Sequence, residues 1–371
     1  MFLSQLYLKD YRNYKQEHLK FNPNLNLIIG SNAQGKTNIL ESIYLLGTGG
    51  SHRSNIDSEL IKWDSKSFYV KGELIKREQS YKLELSLNNK EKLVKVNTNR
   101  LKRISDLVGY LNVVIFSPED LNLVKGSPSL RRKFIDLEIS QISSYYKHQL
   151  SKYKEVLKHR NNLLKDIREK KGSKEVLEIL NTQLTDLGAK IIVKRIDSLN
   201  KLSILAKLIQ RRITNGVENL ELKYDSKLDI DNQSSYEDIK QELIRLLKKK
   251  EERDIYRGVT TVGPHRDDIS LIVNDIDIRK YGSQGQQRTT ALALKLSELE
   301  FMKAEIGEYP ILLLDDVFSE LDYNRRSHLL DVVQDKIQTF ITSTDLKGLG
   351  KINSNYNLFK IKNGSVMKEE R

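Results

Sequence analysis

Hydrophobic residues along the 371-residue chain fall into two textures, and each predicts different elements. Leu25-Asn26-Leu27-Ile28-Ile29 is a short apolar run bounded by polar residues, which predicts a buried strand. Phe2 to Leu8 and His18 to Phe21 predict two strands ahead of it. Beyond it Ile39, Leu40, Ile43 and Leu46 recur at helical spacing, followed by a polar, glycine-rich turn from Gly47 to Ser54. Tyr81, Leu83, Leu85 and Leu87 alternate with polar neighbours, as in an antiparallel strand with one face buried. Phe68 to Ile75 and Leu93 to Val96 are strand candidates on either side of it. The flat apolar run Val113-Val114-Ile115-Phe116 returns the chain to the interior. Ser117-Pro118-Glu119 then has the cap and first-turn proline of a helix start.

From Gly126 the texture changes. Ser127-Pro128 opens a long polar segment with almost no strand signal until about residue 257. Tyr146, Leu150, Tyr153, Leu157, Leu164 and Ile167 keep 3-4 spacing, and Leu177, Leu180, Leu184, Leu187 and Ile191 resume it after Lys170-Lys171-Gly172-Ser173. Two helices about one glycine turn make an antiparallel hairpin with its apolar stripe as core. A third helix, Ile239 to Arg253, carries Lys248-Lys249-Lys250, which is either a solvated face or a DNA contact. After residue 258 strands return at Ile269 to Val273, Ile311 to Leu314 and Phe340 to Ser343, with an amphipathic helix from Gln286 to Ile306. The pattern predicts an α/β fold with a mixed sheet, interrupted by a helical arm. Its parts are residues 1–125 (P-loop and antiparallel lobe), 126–257 (inserted arm) and 258–371 (the rest of the head).

Charge adds a partner to this picture. Lys and Arg outnumber Asp and Glu by 63 to 50, a net charge of +13 that favours a polyanion, nucleic acid before membrane. The absence of cysteine excludes disulfides, thiolate zinc sites and a cysteine nucleophile. No apolar run approaches the ~20 residues that span a bilayer. Met1-Phe2-Leu3 opens directly into a strand pattern without a signal-peptide core, so the expected location is cytoplasmic.

The chemistry centres on Gly30-Ser31-Asn32-Ala33-Gln34-Gly35-Lys36-Thr37, which fits the phosphate-binding P-loop G-x-x-x-x-G-K-[ST]. Gly30 and Gly35 let the backbone curl so that its N–H groups face the phosphates. Lys36 adds a cation for the outer phosphates, the Thr37 hydroxyl is a Mg²⁺ ligand, and Asn38 continues the site into the helix. A strand, a glycine loop and a helix N-terminus in this order are what an anion site needs. Ile311 to Leu314 ends in Asp315-Asp316, at the sheet edge where a P-loop sits. Asp315 is placed to hold Mg²⁺ opposite Thr37, and Asp316 to orient the attacking water.

Tyr281-Gly282-Ser283-Gln284-Gly285-Gln286-Gln287-Arg288 precedes the long helix and supplies a second phosphate-reading surface, with Ser283, Gly285 and Gln286 as its contacts. The same residues also read as a helix cap, Ser283 paired with Gln286. A second anion platform about 250 residues from the P-loop resembles the signature motif of the ATP-binding cassette family, which closes on the γ-phosphate held by another subunit. Ser319-Glu320-Leu321-Asp322 resembles that family's D-loop.

Phe116 to Asp120, Arg131-Arg132, Gly263-Pro264-His265-Arg266-Asp267, Ser283 to Gln287 and Asp315 to Asp322 together resemble the RecF family, relatives of the structural-maintenance-of-chromosomes (SMC) ATPases. The resemblance runs nearly end to end. It implies an ATP-binding-cassette-type head, a slow, DNA-stimulated ATPase that acts as a switch, and an ATP-dependent homodimer bound to single-stranded or duplex DNA. It also implies action with RecO and RecR at single-strand gaps, where such proteins help load recombinase in recombinational repair and replication restart.

Asp316 stands where most cassette ATPases carry a glutamate, and no histidine follows Phe340 to Asp345, leaving Thr344 or Asp345 in the switch position. His52 and Arg53 read equally as phosphate or DNA contacts and as a structural turn. His265 lacks metal-ligand spacing and reads as part of a rigid turn re-entering the core. Two other classes fit parts of the pattern: a transporter-type ATPase subunit and a P-loop small-molecule kinase. The basic insert and Asp316 argue against the first, and the second anion platform against the second.

Overall fold

A computed structural model describes residues 1–88, 91–231, 233–319, 325–326, 329, 336–345 and 355–370. The chain begins with β1 (Phe2–Tyr11), β2 (Tyr14–Lys20), β3 (Leu25–Ile29) and α1 (Lys36–Thr48). Strands β4 (Ser67–Lys76), β5 (Gln79–Asn88), β6 (Glu91–Val96), β7 (Asn99–Arg100) and β8 (Val113–Phe116) follow. Next come α2 (Leu121–Lys125), α3 (Pro128–Ile142), α4 (Ser144–Arg168), α5 (Lys174–Ile213), β9 (Leu220–Asp225) and α6 (Tyr236–Arg257). Strands β10 (Asp268–Val273) and β11 (Ile276–Asp277) precede α7 (Ile278–Tyr281) and α8 (Gln284–Ile306). The chain ends with β12 (Ile311–Asp315), β13 (Thr339–Ser343), β14 (Tyr356–Lys362) and β15 (Ser365–Glu370).

Residues 1–120 and 294–371 form one compact unit, and residues 121–293 a second. The first unit holds two six-stranded sheets. One is ordered β15-β14-β3-β13-β12-β8, parallel throughout except for the antiparallel edge strand β15. Its inner strands read as continuous apolar runs because both faces are covered, and all of β12 and β13 is buried. The other is the antiparallel sheet β2-β1-β4-β5-β6-β7, whose buried Leu83, Leu85 and Leu87 follow the predicted alternation. Helix α1 packs on this sheet so closely that a Cβ on Gly72 would lie 2.7 Å from the Leu46 side chain. Phe21 meets Phe340 and Phe359 edge-on, with centroids 4.7 and 5.6 Å apart, and so locks β3's neighbours together.

The second unit is built on the α4–α5 hairpin, with α6 packed against both helices. Its polar appearance hides buried ion pairs: Arg160 with Asp254 at 3.0 Å, and Arg195 doubly bonded to Asp136 at 2.9 and 3.0 Å. The absence of strand between residues 126 and 257 is corrected by β9, which pairs with β10 in a three-stranded antiparallel sheet. Only Leu220 and Leu222 carry β9's inward alternation, too short a pattern to register among helices.

Candidate functional site

The register of the parallel sheet builds the site in the first unit. Strand β13 lies between β3 and β12, pairing Ser343 with Ile29 on one side and Thr342 with Asp315 on the other. The P-loop therefore leaves β3 at the same sheet edge at which β12 ends in its two acids. Thr37 Oγ1 donates to Asp315 Oδ1 at 2.9 Å, joining positions 278 residues apart. Thr342 Oγ1 donates to the same oxygen at 2.8 Å and accepts from the Asp316 amide at 2.9 Å. Burial pushes the Asp315 carboxyl up from its ordinary pKa, with the Thr342 and Thr37 hydrogen bonds pulling the other way. A buried carboxylate beside a hydroxyl suits a divalent cation. Among the described residues no cluster of three or more His, Cys, Asp or Glu could hold a metal alone. That donor set fits Mg²⁺, which takes one or two protein oxygens and completes its shell with phosphate and water.

The loop has the curl that phosphate binding requires. Gly35 sits at φ 114°, and a Cβ there would lie 2.6 Å from the Asn13 amide nitrogen. At Gly30 a Cβ would lie 2.5 Å from the Ile361 carbonyl oxygen, so that position is closed to any side chain. Ser31, Asn32 and Ala33 are exposed, while Lys36 is buried and its ammonium donates to the carbonyls of Gly30 and Ser31. Burial lowers the Lys36 pKa, and the carboxylates of Asp316 and Asp315 raise it back in part. Asp316 itself adopts a left-handed φ of 52°, a conformation that aspartate visits more readily than most residues. A cavity of about 500 Å³ opens beside the loop, lined among others by Gly30, Ser31, Gln34, Thr344 and Lys360. Thr344 thus lies at the loop's mouth, and Asp345 is exposed next to it.

The sequence pattern missed a collar around the first turns of α1. Glu41 is fully buried on that helix and accepts from Arg12 at 2.8 and 2.6 Å and from Ser51 at 2.5 Å. Burial alone would raise the Glu41 pKa, but the hydrogen bonds from Arg12 and Ser51 outweigh it and hold the carboxyl below its usual range. Asn38 donates to Asn13 at 2.8 Å and accepts from Arg53 at 3.1 Å, and Tyr14 Oη donates to the Gly35 carbonyl at 3.0 Å. Arg53 therefore faces the P-loop helix, while His52 packs edge-on against Tyr44, centroids 5.2 Å apart. One signal was available: an acid at position 41 within an otherwise apolar helical face demands a cation from elsewhere in the chain.

The signature-like segment lies in the second unit. Ser283 and Gln286 form a reciprocal cap: Ser283 N donates to Gln286 Oε1 at 3.0 Å, and Gln286 N to Ser283 Oγ at 3.2 Å. Gln287 is buried and donates to the Ile278 carbonyl at 3.1 Å, while Ser283, Gln284 and Gly285 remain exposed at the N-terminus of the 23-residue helix α8. Cap and exposed platform therefore coexist. Of the D-loop-like Ser319 to Asp322, everything beyond the Ser319 backbone lies outside the described residues.

Arg131 and Arg132 are scaffolding. Arg131 pairs with both oxygens of Asp268 at 2.8 and 2.9 Å, and Arg132 donates to the Asp267 carbonyl at 2.6 Å. His265 is likewise internal to the second unit. Its Nδ1 lies 2.7 Å from Tyr153 Oη and its Nε2 3.1 Å from the Thr260 carbonyl. The neutral ring protonated at Nε2 satisfies both contacts, with the tyrosine hydroxyl as donor to Nδ1. Burial lowers the His265 pKa to about 4. Between pH 6.5 and 4 the unfolded chain binds the proton that the folded chain refuses, so this residue's contribution to stability falls as pH falls through that window. Asp267, raised to about 6 by burial, works in the opposite sense. Relative to His265→Gln, the wild-type chain should lose about 1.2 kcal/mol more stability between pH 7 and pH 5.5. Chemical denaturation at the two pH values checks this, and equal losses would contradict a neutral, buried His265.

The RecF/RecN/SMC N-terminal domain model matches residues 2–367. The chain is 49% identical to the DNA replication and repair protein RecF of Halothermothrix orenii over 369 residues, covering 99% of this chain and 98% of that one. The corresponding protein of Staphylococcus carnosus is 47% identical, covering 99% and 100%. This chain belongs to the RecF family. A solved structure of the recombination mediator protein RecF-ATP in the RecFOR pathway superposes with TM-score 0.93 at 40% identity, over 100% of this chain and 98% of the other. An Smc head domain from Pyrococcus furiosus matches at TM-score 0.56 and 16% identity, which extends the likeness in fold to SMC heads. The RecF-family chain is thus a mixed α/β protein with the head fold of that group. No described helix is long and apolar enough to cross a membrane.

Proposed function

We propose that this RecF-family protein is an ATP-switched DNA clamp of recombinational repair and replication restart, in which nucleotide binding closes a homodimer on DNA and hydrolysis opens it. The observation that carries the reading is the Thr37–Asp315 contact, which brings a P-loop hydroxyl to the end of the acid-bearing strand. Gly30 to Asn38 cradle the phosphates, and Lys36 swings from the Gly30 and Ser31 carbonyls to the outer phosphate oxygens. Thr37 and Asp315 would hold Mg²⁺, which when bound neutralises phosphate charge and polarises the bond to be broken. Asp316 orients the attacking water and takes its proton. Ser283, Gly285 and Gln286 serve the site of the second protomer, where the helix N-terminus favours the γ-phosphate. DNA, RecO and RecR are the partners, with single-strand gaps as the place of action and slow, DNA-stimulated hydrolysis as the timer. The family relationship and the +13 charge support this assignment.

A DNA titration with and without ATP is the test. ATP should tighten binding, and raising salt from 50 to 200 mM should weaken it by about 10-fold or more if several phosphates are contacted. Sequence preference should be slight, because phosphate contacts carry no base information. Salt-independent affinity would remove the electrostatic basis, and indifference to ATP would remove the clamp.

A further inference from the structure

Two segments distant in sequence converge on one residue of the P-loop. The Gln34 carbonyl accepts from Asn13 Nδ2 at 2.9 Å and from the Gly364 amide at 3.0 Å. The Gln34 side-chain carbonyl accepts from the Asn363 amide at 2.7 Å. Asn13 closes the β1–β2 turn, and Asn363-Gly364 closes the β14–β15 hairpin. The two turns also touch: a Cβ on Gly364 would lie 2.3 Å from the Asn13 carbonyl oxygen, so only glycine permits this approach.

What is held is a strained piece of backbone. Ala33 and Gly35 flank Gln34 with φ of 64° and 114°, and the left-handed conformation is unfavourable for alanine. A free loop would relax out of it, and a nucleotide would then have to restore the curl as it bound. We infer that Asn13 and the Asn363–Gly364 turn are positioning elements that hold the P-loop in its phosphate-accepting curl before nucleotide arrives. The inference rests on the P-loop being the ATP site. It adds Asn13 and a C-terminal hairpin that the motif does not contain. None of them touches the phosphates through this role; each acts through Gln34.

Titration of the full-length protein with ATP and ADP, alongside steady-state hydrolysis and melting without nucleotide, tests the inference. Asn13→Ala and Gln34→Ala should each weaken both nucleotides by about 3- to 10-fold, since both bind the same loop. In Asn13→Ala kcat at saturating ATP should stay within about twofold of wild type, because saturation restores the bound loop. Asn13→Asp keeps the acceptor that Asn38 uses but turns an oxygen toward the Gln34 carbonyl. It should bind at least as weakly as Asn13→Ala. Unchanged affinity in Asn13→Ala and Gln34→Ala would overturn the inference. So would wild-type affinity in Asn13→Asp, or a lowered melting temperature with normal affinity per folded molecule. A wild-type protein that binds neither nucleotide would overturn the ATP site itself, a result visible before any variant is compared.

Discussion

Lys36→Ala is expected to weaken ATP binding by about 100-fold or more while leaving the fold intact. The ammonium is the buried cation of the loop, held at its mouth by the Gly30 and Ser31 carbonyls and faced by Asp315 and Asp316. Without it the outer phosphates meet two carboxylates with no opposing charge. Burial lowers the lysine's pKa, yet the two acids work to keep it protonated, so the site is built to retain this charge. The carbonyls that lose their donor lie in an exposed loop where water can replace it, so stability without nucleotide should change little. Melting with and without ATP separates the two effects. The wild-type protein should gain stability with ATP by mass action, and the variant should gain none at the same concentration. A variant stabilised as strongly as wild type would remove Lys36 from the site.

The parts legible in the sequence are those whose physics is local. β3, the glycine loop and α1 follow one another within 24 residues, and each carries its own periodicity or turn chemistry. Strand β12 was legible because four apolar residues end abruptly in two acids. The reciprocal cap of α8 follows from Ser283 and Gln286 three positions apart. The collar was not legible, since Arg12 and Glu41 are joined by a fold rather than a spacing. The C-terminal hairpin was missed for a related reason: Asn363 and Gly364 reach the P-loop across 329 and 330 residues, by backbone donors that any residue but proline carries. Arg131 and Arg132 have roles that the sequence pattern does not show. In the sequence they stand only among the residues that carry the family resemblance, and the fold consumes both in holding Asp268 and the Asp267 carbonyl.

The same locality explains why two rival readings were open at the level of sequence. A P-loop and a strand ending in acids serve transporter subunits and small-molecule kinases as well as DNA-repair ATPases. Family membership over nearly the whole chain favours the repair ATPase, and neither rival gains support from it. What distinguishes this site chemically is the short acid at position 316.

Asp316→Asn should bind ATP normally yet hydrolyse it about 100-fold or more slowly, the usual cost of losing a general base. The substitution is unusually clean. Asp316 sits at φ 52°, a conformation that asparagine tolerates as well as aspartate, and its backbone amide keeps the bond to Thr342 Oγ1. The negative charge and its ability to accept a proton are lost. Removing that charge also eases repulsion toward the phosphates, so ATP affinity should hold or rise. If hydrolysis opens the clamp, the variant should stay dimeric on gel filtration with ATP under conditions where the wild-type protein reverts to monomer. Asp316→Glu completes the series: the longer side chain reaches nearer to an in-line water, so turnover at or above the wild-type rate is expected. Wild-type turnover in Asp316→Asn would take Asp316 out of the chemical step. A slow variant that remains monomeric with ATP would keep the residue in catalysis but sever hydrolysis from clamp opening.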